Sequence, residues 1–237
     1  MQPRHYALGV AAALALTATS AEAAVTFDSD AEFLASPFAG GTIAEAQGID
    51  GGTGAQAQVG VPTIAPAGSN VGSAFNVNWQ DGPVDFTVSY DQANFTFRGT
   101  RESDTLFDLS KEADFSGANS VFVRVAGAEN SRTILRDLAF EDADGNDTGL
   151  LSGELDSGTG SNVENYIGFN YANLSDDWSL TGQAELTGDD FAARPGFQVK
   201  IDDSVVPLPA AAWLMISGLA GVGYTAYRGR KAATATA

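Results

Sequence analysis

The chain has 237 residues, with 30 acidic side chains against 12 basic ones, a single histidine and no cysteine. The missing thiols exclude a disulfide framework and zinc-thiolate sites. The only histidine, His5, lies in an N-terminal leader, so a domain freed of that leader has no Ser-His-Asp or Cys-His mechanism and no His-ligated metal. A net charge of −18 excludes the clustered Lys and Arg by which proteins hold nucleic acids, and no nucleic-acid partner is expected.

Residues 1–23 read as a cleavable secretory signal. Arg4 and His5 give a short positive start, Ala7–Leu16 is an apolar run, and Ala21-Glu22-Ala23 is a small-x-small exit in which Ala21 and Ala23 flank the cleavage register. The run is too short for a membrane span, which takes about 20 residues. Cleavage there, and loss of everything from Val206 onward, leaves residues 24–205, enough for one domain with a sizeable core. This stretch holds 29 of the 30 acids and 8 of the 12 bases, so its charge is about −21. Solubility in salty medium, or cation binding, are the natural uses of such a surface.

Within it, Asp28–Ser36 carries a capping Asp or Ser followed by Glu32 and predicts a short helix. Residues 39–74 are rich in Gly and Ala and contain no base. They predict long loops with one or two strands, leaning on the core through Ile43, Ile49, Val59 and Ile64. Period-2 alternation then recurs, which marks half-buried strands. It appears at Phe75, Val77 and Trp79; at Phe86, Val88 and Tyr90; and at Val121, Val123 and Val125. It returns at Ile167, Phe169 and Tyr171, through Trp178, Leu180, Gly182, Ala184 and Leu186, and at Phe197, Val199 and Ile201. Strands with one apolar and one polar face belong in antiparallel sheets, and two such sheets face to face make a sandwich. The expected fold is all-β, an antiparallel, jelly-roll-like β-sandwich.

The densest polar cluster is Glu141–Asp147. Asp142, Asp144 and Asn146 place oxygens at alternate positions, like the front half of a calcium loop. The pattern then breaks, with Asp147 at the sixth position where glycine is needed and Gly153 at the twelfth where glutamate is needed. A hairpin turn through Asp144-Gly145, between the runs Ile134–Phe140 and Thr148–Leu151, is the stronger expectation. No metal, cofactor or catalytic group is assigned. Glycosidases work with two carboxylates about 5–10 Å apart, but with so many acids such a pair arises by chance, so acid count is no argument for an enzyme. Phe122 and Tyr166 fall opposite their apolar neighbours and would stack on sugar rings if exposed; a covering layer is the alternative.

Leu208–Tyr227 is twenty residues without a charge, followed by Arg228, Arg230 and Lys231. At about 1.5 Å per residue this crosses the roughly 30 Å hydrocarbon layer, and the basic finish acts as a cytoplasmic stop. Val206-Pro207-Leu208-Pro209-Ala210, then the apolar helix, then the basic end together resemble the VPLPA variety of the PEP-CTERM sorting signal. The resemblance covers about the last thirty residues, 206–237. It implies recognition of Val206 to Ala210 by an exosortase, an integral-membrane protease that cuts near the proline motif. It further implies passage to the cell surface or extracellular matrix of a Gram-negative bacterium, often one that makes exopolysaccharide. Trp178 to Asp202, with Leu180-Thr-Gly182, Pro195 and Phe197-Gln-Val-Lys200, also resembles the β-sandwich domains called choice-of-anchor domains, which have no assigned chemistry. The resulting expectation is a membrane-tethered, then released, non-enzymatic structural or adhesive module. The alternative is a carbohydrate-binding domain, or less readily a carboxylate-dependent carbohydrate-cleaving one.

Overall fold

A computed structural model of the chain describes residues 25–27, 42–50, 55–62, 64, 70–91, 93–127, 130–150, 153–159, 164–171, 173–188 and 195–203. The expected signal (1–23), the Asp28–Ser36 helix and the tail from Val206 lie outside them. Among the described residues there are fourteen strands and no helix, and so no helix long and apolar enough to cross a membrane.

The strands are numbered β1 to β14 along the chain. One sheet takes the order β1 (Val25–Phe27), β12 (Glu164–Asn170), β8 (Ser120–Ala126), β14 (Gly196–Asp202), β2 (Thr42–Ile49), β3 (Gln56–Val61), β4 (Asn70–Phe75). The other runs β10 (Asp147–Gly149), β9 (Ser131–Asp142), β13 (Trp178–Gly188), β5 (Val84–Asp91), β6 (Asn94–Arg101), β7 (Asp104–Glu112), with β11 (Glu154–Asp156) also paired to β9. Every pairing is antiparallel. The molecule is thus all-β, two antiparallel sheets on a shared core, as a β-sandwich requires.

Burial of the alternate apolar residues drives the stacking. Phe197 of β14 reaches across to Phe86 of β5 (centroids 4.9 Å) and Phe97 of β6 (6.0 Å), with Trp79 edge-on at 5.7 Å. At the other end Phe140 of β9 meets Phe169 of β12 at 5.0 Å and Trp178 of β13 at 5.8 Å. The expected alternation at β5, β8, β13 and β14 is present: Phe86, Val88, Val121, Val123, Val125, Leu180, Leu186, Val199 and Ile201 are all buried.

Two expectations need correction. Residues 39–74 hold three strands, β2, β3 and β4, rather than loops with one or two. Their inner faces are Ala44, Ala46, Ala57 and Val59, all fully buried. Secondly, the run Phe75-Val77-Trp79 is not one strand. β4 ends at Phe75, and Asn76 sits at φ 60°, a left-handed turn that reverses which side the next residues face. Phe75 is left 64% exposed, whereas Val77 and Trp79 are buried and the Trp79 indole donates to the Gln56 carbonyl at 3.2 Å.

Gly182, in the middle of β13, owes its place to a bulge on β9. The β13–β9 register shifts between Thr181 and Gln183, and Asp137 on the bulged strand sits at φ 52°. A side chain at Gly182 would fall 2.7 Å from Leu138 and 2.9 Å from Phe86. The small residue is therefore what lets Leu138 turn into the core.

Candidate functional site

The Glu141–Asp147 segment forms the turn of the β9–β10 hairpin, with Asp147 opposite Glu141 and Thr148 opposite Phe140. Gly145 takes φ 77° and donates its N–H to the Asp142 carbonyl at 2.9 Å, a turn that only a residue tolerant of positive φ closes without strain. Asp142 supplies the rest of the turn. Its Oδ1 accepts the backbone N–H of Asp144 (3.0 Å) and Asn146 (2.9 Å), and the Asn146 amide donates to both carboxylate oxygens at 3.1 and 3.0 Å. These bonds, led by that of the Asn146 side chain, hold the Asp142 carboxyl below the usual range.

Of the three candidate calcium ligands, Asp142 and Asn146 are brought together side chain to side chain, as acceptor and donor, while Asp144 enters the turn through its backbone N–H. Among the described residues no group of three or more Asp, Glu, His or Cys side chains is arranged to hold a metal ion.

Beside this turn lies a shallow cleft of about 320 Å³ at one end of the second sheet. Asp91, Glu141, Asp142 and Asp177 line it together with the hydroxyls of Ser89 and Ser179. Strand register places them: Ser179 of β13 stands between Glu141 of β9 and Ser89 of β5. Trp178 reaches the wall but offers no stacking platform, because it is buried with its indole N–H donated to the Leu174 carbonyl at 3.0 Å. Tyr171, beyond the end of β12, packs on Phe140 at 5.0 Å and hydrogen-bonds Asp142. Burial, reinforced by the charge of Asp142, pushes its hydroxyl up to about 12. The cleft can accept hydrogen bonds from a polyol or neutralise a cation. Asp142, held ionised, is the reverse of a proton-donating acid.

Phe122 and Tyr166, considered for sugar stacking, are buried to 4% and 2% exposure, and the Lys200 ammonium stands 5.6 Å over the Phe122 ring. Neither ring is exposed to stack on a sugar. Between these residues and the far edge of the same sheet face runs a polar ladder that single-strand patterns do not reveal. Arg124, Gln198, Gln47, Gln58 and Ser73 are successive neighbours across β8, β14, β2, β3 and β4. Arg124 Nη1 donates to Gln198 Oε1 at 3.1 Å, Gln198 Nε2 to Gln47 Oε1 at 3.1 Å, and Gln58 Nε2 to Ser73 Oγ at 3.4 Å. Each residue is legible as an outward strand position; only the register makes them a row.

The sorting motif Val206 to Ala210, the basic residues Arg228, Arg230 and Lys231, and the cleavage pair Ala21 and Ala23 lie outside the described residues. No family model matches the chain, and no curated protein is significantly similar to it.

Proposed function

We propose that the chain is an exported, non-enzymatic protein of the bacterial surface or extracellular matrix, handed to an exosortase-like membrane protease by its C-terminal tail. The observation that carries this reading is the ordered set at the C-terminus: Val206-Pro207-Leu208-Pro209-Ala210, the uncharged run Leu208–Tyr227 that begins within this motif, then Arg228, Arg230 and Lys231. The leader at residues 1–23 supports it, since both signals put the acidic domain on the outer side. The domain itself would be structural or adhesive, of jelly-roll-like topology. That topology is supported by the way the chain changes sheets at β4–β5, β7–β8, β8–β9, β11–β12, β12–β13 and β13–β14.

The test is intact mass and fractionation of the protein in its own host. The expected product begins near Ala24, ends near Pro207 and lies outside the cell. Replacing Pro207 and Pro209 with alanine should leave the full-length species in the membrane. Release unaffected by that double substitution would sink the sorting reading.

A second reading, a carbohydrate-binding surface domain associating with exopolysaccharide, is favoured only by the hydroxyl-and-carboxylate cleft at Ser89, Ser179 and Asp177. Retardation of the protein on affinity gels cast with the host polysaccharide would support it, and mobility identical to that in blank gels would remove it.

A further inference from the structure

Sheet edges expose unpaired N–H and C=O groups, and proteins guard them with charges, prolines, bulges or brevity. Of the four sheet edges among the described residues, three are guarded. β7 carries Asp104, Asp108, Lys111 and Glu112, with a register shift in its pairing to β6. β10 and β1 are three residues each, and β10 opens on Asp147. β4 has none of these devices. It is six residues, Asn-Val-Gly-Ser-Ala-Phe, without charge or proline, paired to β3 in unbroken register, and among the described residues no strand lies on its other side. It also bears Phe75, the one exposed large apolar side chain among the described residues.

We propose that β4 is a self-association edge, at which two copies of this chain pair antiparallel about a two-fold axis through Ser73. Three observations choose a second copy as the occupant. A chain of net charge −18 repels its own kind over most of its surface. β4 itself carries no charge, so none are opposed along the paired strands, and the nearby Lys111 of β7 lies behind Gly72 on the inner face. The register also closes on itself, as an isologous contact must. Residues opposite one another in an antiparallel pair share a face, and Val71, Ser73 and Phe75 share the outer one. Centring on Ser73 therefore sets Phe75 against Val71 of the second copy and Val71 against its Phe75. The exposed ring is then covered by a branched aliphatic side chain. Finally, Ser73 is the last in the row of register neighbours Arg124, Gln198, Gln47 and Gln58, so a Ser73–Ser73 pair extends that row into the second copy. The β4-bearing seven-stranded sheet of each copy then continues into that of the other.

The inference does not depend on processing of the tail, and its test uses the full-length chain purified in detergent. Because the chain has no cysteine, one introduced thiol reports on one contact. Directly opposed residues lie about 4.5–5.5 Å apart at Cα, within disulfide reach. Ser73→Cys should give a disulfide-linked dimer on mild oxidation, whereas Ser110→Cys, equally exposed on the charged β7 edge, should stay monomeric. Ser73→Lys, which sets two ammonium groups against each other at the axis, should shift the mass by light scattering from two copies to one. Equal cross-linking of the two cysteine variants, or a mass unchanged by Ser73→Lys, overturns the proposal. The lysine lies on a solvent-exposed strand position and all variants keep the tail, so neither misfolding nor tail-driven association can mimic the expected result.

Discussion

One of the tight points of the core is the meeting of Phe197 with Gly48 on adjacent strands of one sheet, and a double-mutant cycle there measures whether the two strands pack as described. Phe197 is 1% exposed and touches Phe86, Phe97 and Trp79. Phe197→Ala should cost about 3–5 kcal/mol, the usual price of deleting a buried ring. Gly48 lies on the neighbouring β2, directly opposite Phe197. A Cβ there would stand 2.5 Å from Phe197 Cε1, 2.9 Å from its Cζ and 2.9 Å from Trp79 Cη2. Gly48→Ala should therefore cost about 1–3 kcal/mol by overpacking. With the ring gone, two of those three collisions vanish and the new methyl fills part of the cavity. The double variant should be more stable than the sum of the single losses by about 1–2 kcal/mol, within the range of coupled neighbours. Urea unfolding followed by tryptophan fluorescence gives all four corners of the cycle, provided the denaturant slopes agree. Additivity to within about 0.5 kcal/mol would refute the contact.

Further expectations concern the surface. Tyr171 should titrate near 12, above ordinary tyrosines, and Asp142→Asn should lower that value only partway, because burial is the larger cause and the Asp142 charge the second. Since the folded value is raised, the associated stability is present below the unfolded value near 10 and is lost as pH climbs through 12; tyrosinate absorbance against pH is the measurement. Arg136 of β9 binds Glu154 of β11 and Glu185 of β13, each at 2.6 Å. Arg136→Gln should cost about 1 kcal/mol, as half-exposed pairs do, and should speed hydrogen exchange at Leu155 in the short β11; unchanged exchange would show that β11 is held by its backbone alone. Calcium should raise the melting temperature by no more than about a degree or two, since the donors of Asn146 already occupy the Asp142 carboxylate and only tight binding stabilises by mass action. A larger rise would make the turn a binding loop.

What the sequence disclosed follows from how far each signal reaches along the chain. Strand faces are local, so β5, β8, β13 and β14 were legible from alternate residues alone. The hairpin at Asp144-Gly145 was legible for the same reason: its turn chemistry is written in adjacent residues. Register across the sheet is non-local, and with it went the Gln47–Gln198 ladder and the pairing of Tyr171 with Asp142. Tyr171 reads only as the last member of the Ile167-Phe169 face until the fold sets it beside the β9 turn. Phe75 failed differently. Its alternation with Val77 and Trp79 is genuine in the sequence, but Asn76 at φ 60° resets the facing of the chain, and one left-handed residue leaves no mark on a pattern of hydrophobicity.

The misread Gly/Ala stretch points to a rule about volume. Strand prediction favours branched and aromatic residues because they fit a pleated, half-buried surface. β2 and β3 instead present Ala44, Ala46, Gly48 and Ala57 inward. The large partners come from other parts of the chain: Trp79 from the turn after β4, Phe97 and Phe107 from β6 and β7, and Phe197 from β14, in mutual contact at 4.7–6.0 Å. A core about 10 Å thick holds a fixed volume between its sheets, so a large side chain requires small residues beside it, whether it comes from the facing sheet, as Phe97 and Phe107 do, or from the adjoining strand, as Phe197 does. The same fit recurs at Gly99 of β6, where a Cβ would lie 2.3 Å from the Phe107 ring, and at Gly182 beneath Leu138. The alanines and glycines that look like linker are the negative of the phenylalanines that look like core, and neither set can be read correctly without the other.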